Sequence, residues 1–214
     1  MTVETDFAIN RGFTLKVNFD PRLFLSNQPT ALPPVPGSWY REQSETERAT
    51  THENALAYLR KNLELRFGDE PMPLPQLKLE AIDGSDNTPL KPETAEVHLL
   101  ATGRSVIPGS GSDFRLSLGR DANVSLILLS RIEGGKDASP RVVFPGETSQ
   151  AFSLFGVKSL DEIVSRFSAS GKSEPAPYSP WMMRAVIVVT LIVIWLLFMR
   201  KRASQALPDR RRRR

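Results

Sequence analysis

The most constraining feature of this 214-residue sequence is a run of fifteen residues, 185–199, that carries no charge and has Thr190 as its one mildly polar side chain. Extended back to Trp181, the run is nineteen residues long, which as an α-helix is roughly 28 Å, close to the hydrocarbon thickness of a bilayer. A buried core helix is the alternative, but core helices seldom stay apolar on every face and then end in a basic cluster. We therefore predict a single C-terminal transmembrane helix over residues 181–199.

The flanks of this segment carry residue types that hold a helix at the membrane surface, namely tryptophan and long basic side chains. The predicted membrane anchors are Trp181, Arg184, Trp195, Arg200, Lys201 and Arg202. Five consecutive arginines end the chain; they are suited to contact with anionic lipid or with RNA. We expect them to anchor the helix, so the lipid bilayer is the predicted partner and nucleic acid is not.

The net charge of +4 combines two unlike regions. Residues 1–183 carry 19 basic and 23 acidic side chains, whereas residues 200–214 carry eight basic and one acidic. Short basic flanks are retained in the cytoplasm, which predicts a cytoplasmic tail and an N-terminal domain in the periplasm, anchored in a bacterial inner membrane. Residues 1–30 contain no signal-peptide pattern, so tail-first insertion with a cytoplasmic body stays open as the alternative; we expect the exterior body.

Alternating apolar residues predict a body made of strands. The clearest alternation is Phe13, Leu15, Val17 and Phe19. Similar patterns recur near residues 63–67, 77–81, 97–101, 114–118, 124–129, 141–144 and 150–155. Turn sequences such as Asp83-Gly84 and Pro145-Gly146 separate them.

One stretch departs from alternation. Ser44 and Glu47 have capping-box spacing, and apolar residues follow at helical intervals, which predicts an amphipathic helix at about 45–61. The predicted fold is mainly β: an antiparallel β-sandwich-like domain with one inserted helix, plus the transmembrane helix. The predicted divisions are a β-rich domain at 1–157, a short helix and Pro/Ser-rich linker at 158–180, the span at 181–199 and the basic tail at 200–214.

Composition excludes much chemistry. The chain has no cysteine and only two histidines, so disulfides, thiolate nucleophiles and thiolate metal centres are excluded. His52 and His98 lack a familiar metal-binding spacing, and the segment from Asp83 to Asn87 lacks the glycine and glutamate that complete an EF-hand loop. We predict no catalytic residues, no metal site, no cofactor and no small-molecule substrate, and hence a protein that is not an enzyme.

Trp39 and Tyr40 follow a proline-rich loop and form an adjacent aromatic pair. Exposed aromatic residues often anchor protein interfaces, so this pair is a candidate contact for a partner protein. The alternative is that both rings fold onto the sheet.

Three segments taken in order, 12–20, the helix leading into 62–69, and 142–149 leading to Phe152, resemble the extracytoplasmic N-terminal domain found in some HupE/UreJ-like membrane proteins, a group associated with nickel supply to hydrogenase and urease. The resemblance implies a β-rich exterior module tied to a membrane system. The multi-span permease portion of that family has no counterpart here, since this sequence contains one apolar span. Transport activity is therefore not carried over.

We expect a single-pass accessory or interaction subunit whose β-rich domain docks on another integral membrane protein or complex at the exterior face. The uncharged run 185–199 of the span has no polar residue beyond Thr190, so it cannot form a pore alone. The alternative is an exterior ligand- or metal-binding module that supplies a membrane transporter of the nickel or cobalt type.

Overall fold

The computed structural model describes residues 1–109, 111–135 and 140–155. The predicted helix and linker at 158–180, the transmembrane helix and the basic tail lie outside these residues, as do all six predicted membrane anchors. Within the described ranges, no helix is both long and apolar enough to span a bilayer.

Within the described residues, ten strands form two sheets. The strands are β1 (Thr2–Phe7), β2 (Gly12–Phe19), β3 (Leu63–Phe67), β4 (Glu70–Met72), β5 (Leu77–Asp83), β6 (Val97–Val106), β7 (Asp113–Leu118), β8 (Leu126–Ile132), β9 (Arg141–Val143) and β10 (Phe152–Ser153). The larger sheet has the order β5-β6-β2-β1-β8-β9, and the smaller has the order β10-β7-β3-β4. Between β2 and β3 lie α1 (Arg22–Leu25), a 3₁₀ turn (Pro29–Ala31), α2 (Gly37–Arg41) and α3 (Glu45–Asn62).

The core lies between the two sheets and is rich in phenylalanine. Phe7 of the larger sheet contacts Phe67 and Phe114 of the smaller sheet, with ring centroids 6.2 and 5.1 Å apart. Phe13 lies 5.3 Å from Phe67. Such aromatic pairs add to the stabilisation from buried apolar area, and they join the sheets into one sandwich-like body.

Helix α3 begins with the capping box that the sequence predicts. The Ser44 hydroxyl accepts a hydrogen bond from the Glu47 N–H at 3.3 Å, and the Glu47 carboxylate accepts one from the Ser44 N–H at 2.7 Å. These bonds satisfy two donors that the first turn would otherwise leave unpaired, and they lower the pKa of the Glu47 carboxyl. Ala55 and Leu59 bury the inner face of the helix in the core.

The mainly β, sandwich-like architecture is confirmed, and the pairing is mostly antiparallel with one exception. β1 runs parallel to β8, with Thr2 opposite Ile127 and Phe7 opposite Ile132. β1 itself departs from simple apolar alternation because one of its three inward positions is the buried Thr5. The three shorter helical segments are likewise additions to the one inserted helix predicted within the β-rich domain, because elements of three to five residues leave no periodic signal.

Candidate functional site

Three potential metal ligands meet on the outer face of the larger sheet. Glu96 and His98 are two residues apart at the start of β6, so their side chains emerge on the same face. Asp20 follows β2, the neighbouring antiparallel strand, and comes to lie beside them. One ligand atom from each residue lies within 4.8 Å of the other two. We call this group the Asp20–Glu96–His98 cluster.

The orientation of His98 is set by a chain of two amides. The Asn18 amide nitrogen donates to Asn87 Oδ1 at 2.5 Å, which leaves Asn18 Oδ1 as an acceptor. His98 Nδ1 lies 2.9 Å from that oxygen, so Nδ1 carries the proton and donates. In the neutral ring, His98 Nε2 presents its lone pair to the cluster, 3.5 Å from Glu96 Oε1.

Arg22 is the cation already present at the cluster. Its guanidinium is ion-paired with the Asp20 carboxylate, and its backbone N–H donates to Asp20 Oδ1 at 2.8 Å. The guanidinium also lies 3.7 Å from Glu96 Oε1. The hydrogen bond with Asp20 raises the pKa of Arg22, so this residue remains charged and partly neutralises both carboxylates.

A hydrogen-bonded turn that contains Gly84 packs against the His98 ring. The Asp83 carboxylate accepts from Ser85 and Thr94, and these bonds lower the pKa of Asp83. Gly84 lies so close to the imidazole that a Cβ there would sit 2.9 Å from His98 Cδ2. The segment is thus a polar turn, and its glycine permits the close approach.

The cluster opens into a groove of about 520 Å³ on the sheet surface. The groove is lined by Asn18, Asp20, Arg22, Asn87, Glu96 and His98, among others. Imidazole and carboxylate groups can hold a divalent transition metal. The prediction of no metal site came from the absence of a second histidine or a carboxylate at i+4 or in an H-x-E arrangement. Glu96-x-His98 lies outside those patterns, and on a strand its spacing of two residues places both side chains on one face.

A second feature lies toward the opposite edge of the same sheet. Ile127 of β8 and Val142 of β9 are directly paired and both point outward. Val142 is 56% exposed and Phe144, two residues further on, is 55% exposed. With the half-buried Leu129, these residues form what we call the β8–β9 patch. The outer face of the adjacent strands carries charged residues instead, including the ion pair between Lys16 and Asp6.

The predicted contact pair, Trp39 and Tyr40, is half-buried on α2. Tyr40 packs toward the core, and its hydroxyl lies 2.7 Å from His52 Nε2, with the two rings stacked. Burial and the nearby Arg48 lower the pKa of His52, and burial raises the pKa of Tyr40. The structure thus joins Tyr40 to His52, while the six predicted membrane anchors lie outside the described residues.

Comparison with protein-family models and with curated proteins finds no match for this chain.

Proposed function

We propose that this protein is a single-pass, membrane-anchored accessory subunit whose β-sandwich docks on the extramembrane face of another integral membrane protein. The observation that carries the proposal is the β8–β9 patch, a contiguous group of outward apolar side chains on a sheet face that is mostly polar. Contiguous exposed apolar surface marks interaction sites more often than chance.

The position of the patch suits docking. β9 is the last strand of its sheet, and its outer edge has no strand partner among the described residues. Val142 and Phe144 therefore stand at a margin where a partner can approach without displacing a neighbouring strand. A partner that covers both residues removes large apolar side chains from water, which favours association.

The sequence indicates the kind of partner. The apolar segment 181–199 and the basic tail after it hold the sandwich at a membrane surface in this proposal, so proteins embedded in the same membrane are its neighbours. The uncharged run 185–199 cannot conduct ions alone. The resemblance to the exterior domain of HupE/UreJ-like proteins supports the same assignment, because that module is also tied to a membrane system.

The test compares two full-length variants expressed in native membranes and solubilised in mild detergent. Val142→Ser/Phe144→Ser removes the most exposed part of the patch. Val106→Ser is the matched control, since Val106 is 59% exposed but lies on β6, outside the patch. We expect the wild type and the control to migrate on native gels as one complex larger than the free protein, and the patch variant to migrate as the free protein.

Circular dichroism melting verifies that all three proteins are folded. A wild-type protein that migrates alone would overturn the proposal, as would a patch variant that keeps the large complex. Packing of the patch against residues after 155 of the same chain would instead give a wild type of free size and a patch variant with a lower melting temperature.

A further inference from the structure

We propose that the Asp20–Glu96–His98 cluster binds one divalent transition-metal ion. The inference is independent of the docking function, because the cluster and the β8–β9 patch occupy different parts of the sheet. It rests on the geometry of three side chains and on the hydrogen bonds that orient them.

His98 and Glu96 are in direct contact. His98 Nδ1 donates to Asn18 Oδ1, so in the neutral ring the lone pair of Nε2 faces Glu96 Oε1 at 3.5 Å. In that form the two acceptors repel unless a cation, either a proton on Nε2 or a metal ion, lies between them. Ligand atoms about 2.1 Å from a tetrahedral metal ion are about 3.4 Å apart, so the observed separation already suits a shared ion.

Neighbouring residues hold the His98 imidazole in a fixed orientation. Metal-binding histidines donate their second ring N–H to an oxygen acceptor, which fixes the ring and strengthens the ligand. Asn18 performs this role for His98 and is itself held by Asn87. Gly84 packs against the Cδ2–Nε2 edge of the ring. The imidazole is therefore oriented before any ion arrives, and little ordering is needed on binding.

Arg22 is the group that a bound ion would displace. Its guanidinium contacts both carboxylates and acts as their counter-ion. A bound divalent ion takes over this role, so Arg22 releases part of its contact with Asp20 and Glu96. The Glu96 side chain is 34% exposed at the groove and the Asp20 side chain is 17% exposed, and the displaced guanidinium retains the Leu32 carbonyl as an acceptor. Arg22 therefore competes with the metal and weakens its binding.

The ligand set selects the kind of ion. An imidazole with two carboxylates suits zinc, nickel and other first-row transition metals, whereas magnesium and calcium prefer oxygen ligands alone. Three protein ligands leave positions open to water from the groove. Such a site holds an exchangeable ion and differs from a closed structural site with four protein ligands.

Zinc titration by isothermal calorimetry tests the proposal on the full chain, purified in detergent at pH 7.5 with a tag that contains no histidine. We expect one ion per chain with a dissociation constant well below the millimolar range, and no heat with magnesium. His98→Gln should weaken zinc binding by at least about tenfold. His52→Gln is the matched control, since it removes the other histidine and should leave binding unchanged.

Wild-type binding no tighter than millimolar would overturn the proposal, as would equal affinities for the two histidine variants with zinc. Arg22→Gln gives a test in the opposite direction, because loss of the competing guanidinium should tighten zinc binding severalfold; equal or weaker binding would count against the site. Nitrogen-15 spectra of the histidine side chains verify that zinc shifts Nε2 of His98 while the protein stays folded.

Discussion

At the scale of single residues, Arg11 is the most unusual buried side chain. It is 3% exposed and its backbone has a positive φ of 70°, a conformation that side chains rarely adopt. Its Nη2 group donates to the carbonyls of Ile107, Pro108 and Gly109. One guanidinium therefore holds the turn after β6, at the cost of a strained backbone.

We expect Arg11→Ala to lower the free energy of unfolding by about 2 kcal/mol, because buried carbonyls lose their donor. Arg11→Gly should lose about 1 kcal/mol less, since glycine accepts the positive φ without strain. Chemical denaturation of the full chain in detergent measures both. Arg66→Ala is the surface control, expected within about 0.5 kcal/mol of wild type; an Arg11→Ala variant as stable as this control would contradict the assigned role.

His52 predicts a dependence of stability on pH. Burial and Arg48 lower its pKa in the folded chain below the ordinary value of 6.5, so folding favours the neutral ring. As pH falls through 6.5, His52 binds a proton more readily in the unfolded chain than in the folded chain, and the stability of the fold declines. Above this range the contribution is complete.

The measurement compares melting temperatures at pH 7.5 and pH 5.5. Wild type should lose more stability over this interval than His52→Gln, which has no titrating ring. Carboxylates contribute equally to both proteins, so the difference isolates His52. Equal losses would show that the interaction of His52 with Tyr40 and Arg48 does not favour the neutral form.

At the scale of elements, the parallel pairing of β1 with β8 includes a buried polar contact. Thr5 of β1 donates to the Ser130 hydroxyl of β8 at 2.8 Å, and both residues are buried. The Thr5 hydroxyl also lies 3.4 Å from the Leu129 carbonyl. Loss of Thr5 leaves the Ser130 hydroxyl desolvated without its donor, whereas loss of Ser130 leaves the Thr5 hydroxyl with only the longer contact.

A double-mutant cycle should reveal this coupling. Thr5→Val and Ser130→Ala are each expected to cost about 1 to 2 kcal/mol of stability. The double variant should cost about 1 kcal/mol less than the sum, since it leaves neither hydroxyl unpaired. Denaturation of the four proteins measures the coupling, and strict additivity would show that the two hydroxyls do not interact.

Elements whose inward rows are wholly apolar could be predicted from the sequence, and β2 is the clearest, with Phe13, Leu15, Val17 and Phe19 all buried. β1 escaped detection because Thr5 interrupts its inward row. The candidate site escaped for a different reason. Asp20 and His98 are far apart in the chain, and only the pairing of β2 with β6 brings them together. The amino-acid sequence by itself does not specify which strands are neighbours in a sheet.

At the scale of the whole molecule, the described body presents two unlike regions on one sheet, an apolar edge at β8–β9 and a polar groove at the Asp20–Glu96–His98 cluster. One sheet can carry both regions because the outward positions of a sandwich contribute little to the core. In our two proposals, the sandwich binds a partner protein at the first region and a metal ion at the second. For a membrane-anchored chain, the question at this scale is the side of the membrane on which both regions lie.

The basic tail decides that question in our proposal. Replacing the eight basic residues within 200–214 by glutamine removes the charge difference that retains the tail in the cytoplasm. We expect the wild-type tail to give one orientation and the neutral tail to give a mixture. The chain has no cysteine, so Lys78→Cys, at an exposed position on β5, places a single reporter thiol on the body.

Labelling of intact spheroplasts with a membrane-impermeant maleimide reads the orientation directly. With the wild-type tail, the thiol at position 78 should react fully from outside, and with the neutral tail the reacted fraction should fall. Ser204→Cys reports the tail and should show the opposite pattern, which separates inversion from poor insertion. Equal labelling of position 78 with both tails would mean that the arginines do not set the topology, and protection of position 78 with the wild-type tail would place the sandwich, its apolar edge and its groove in the cytoplasm.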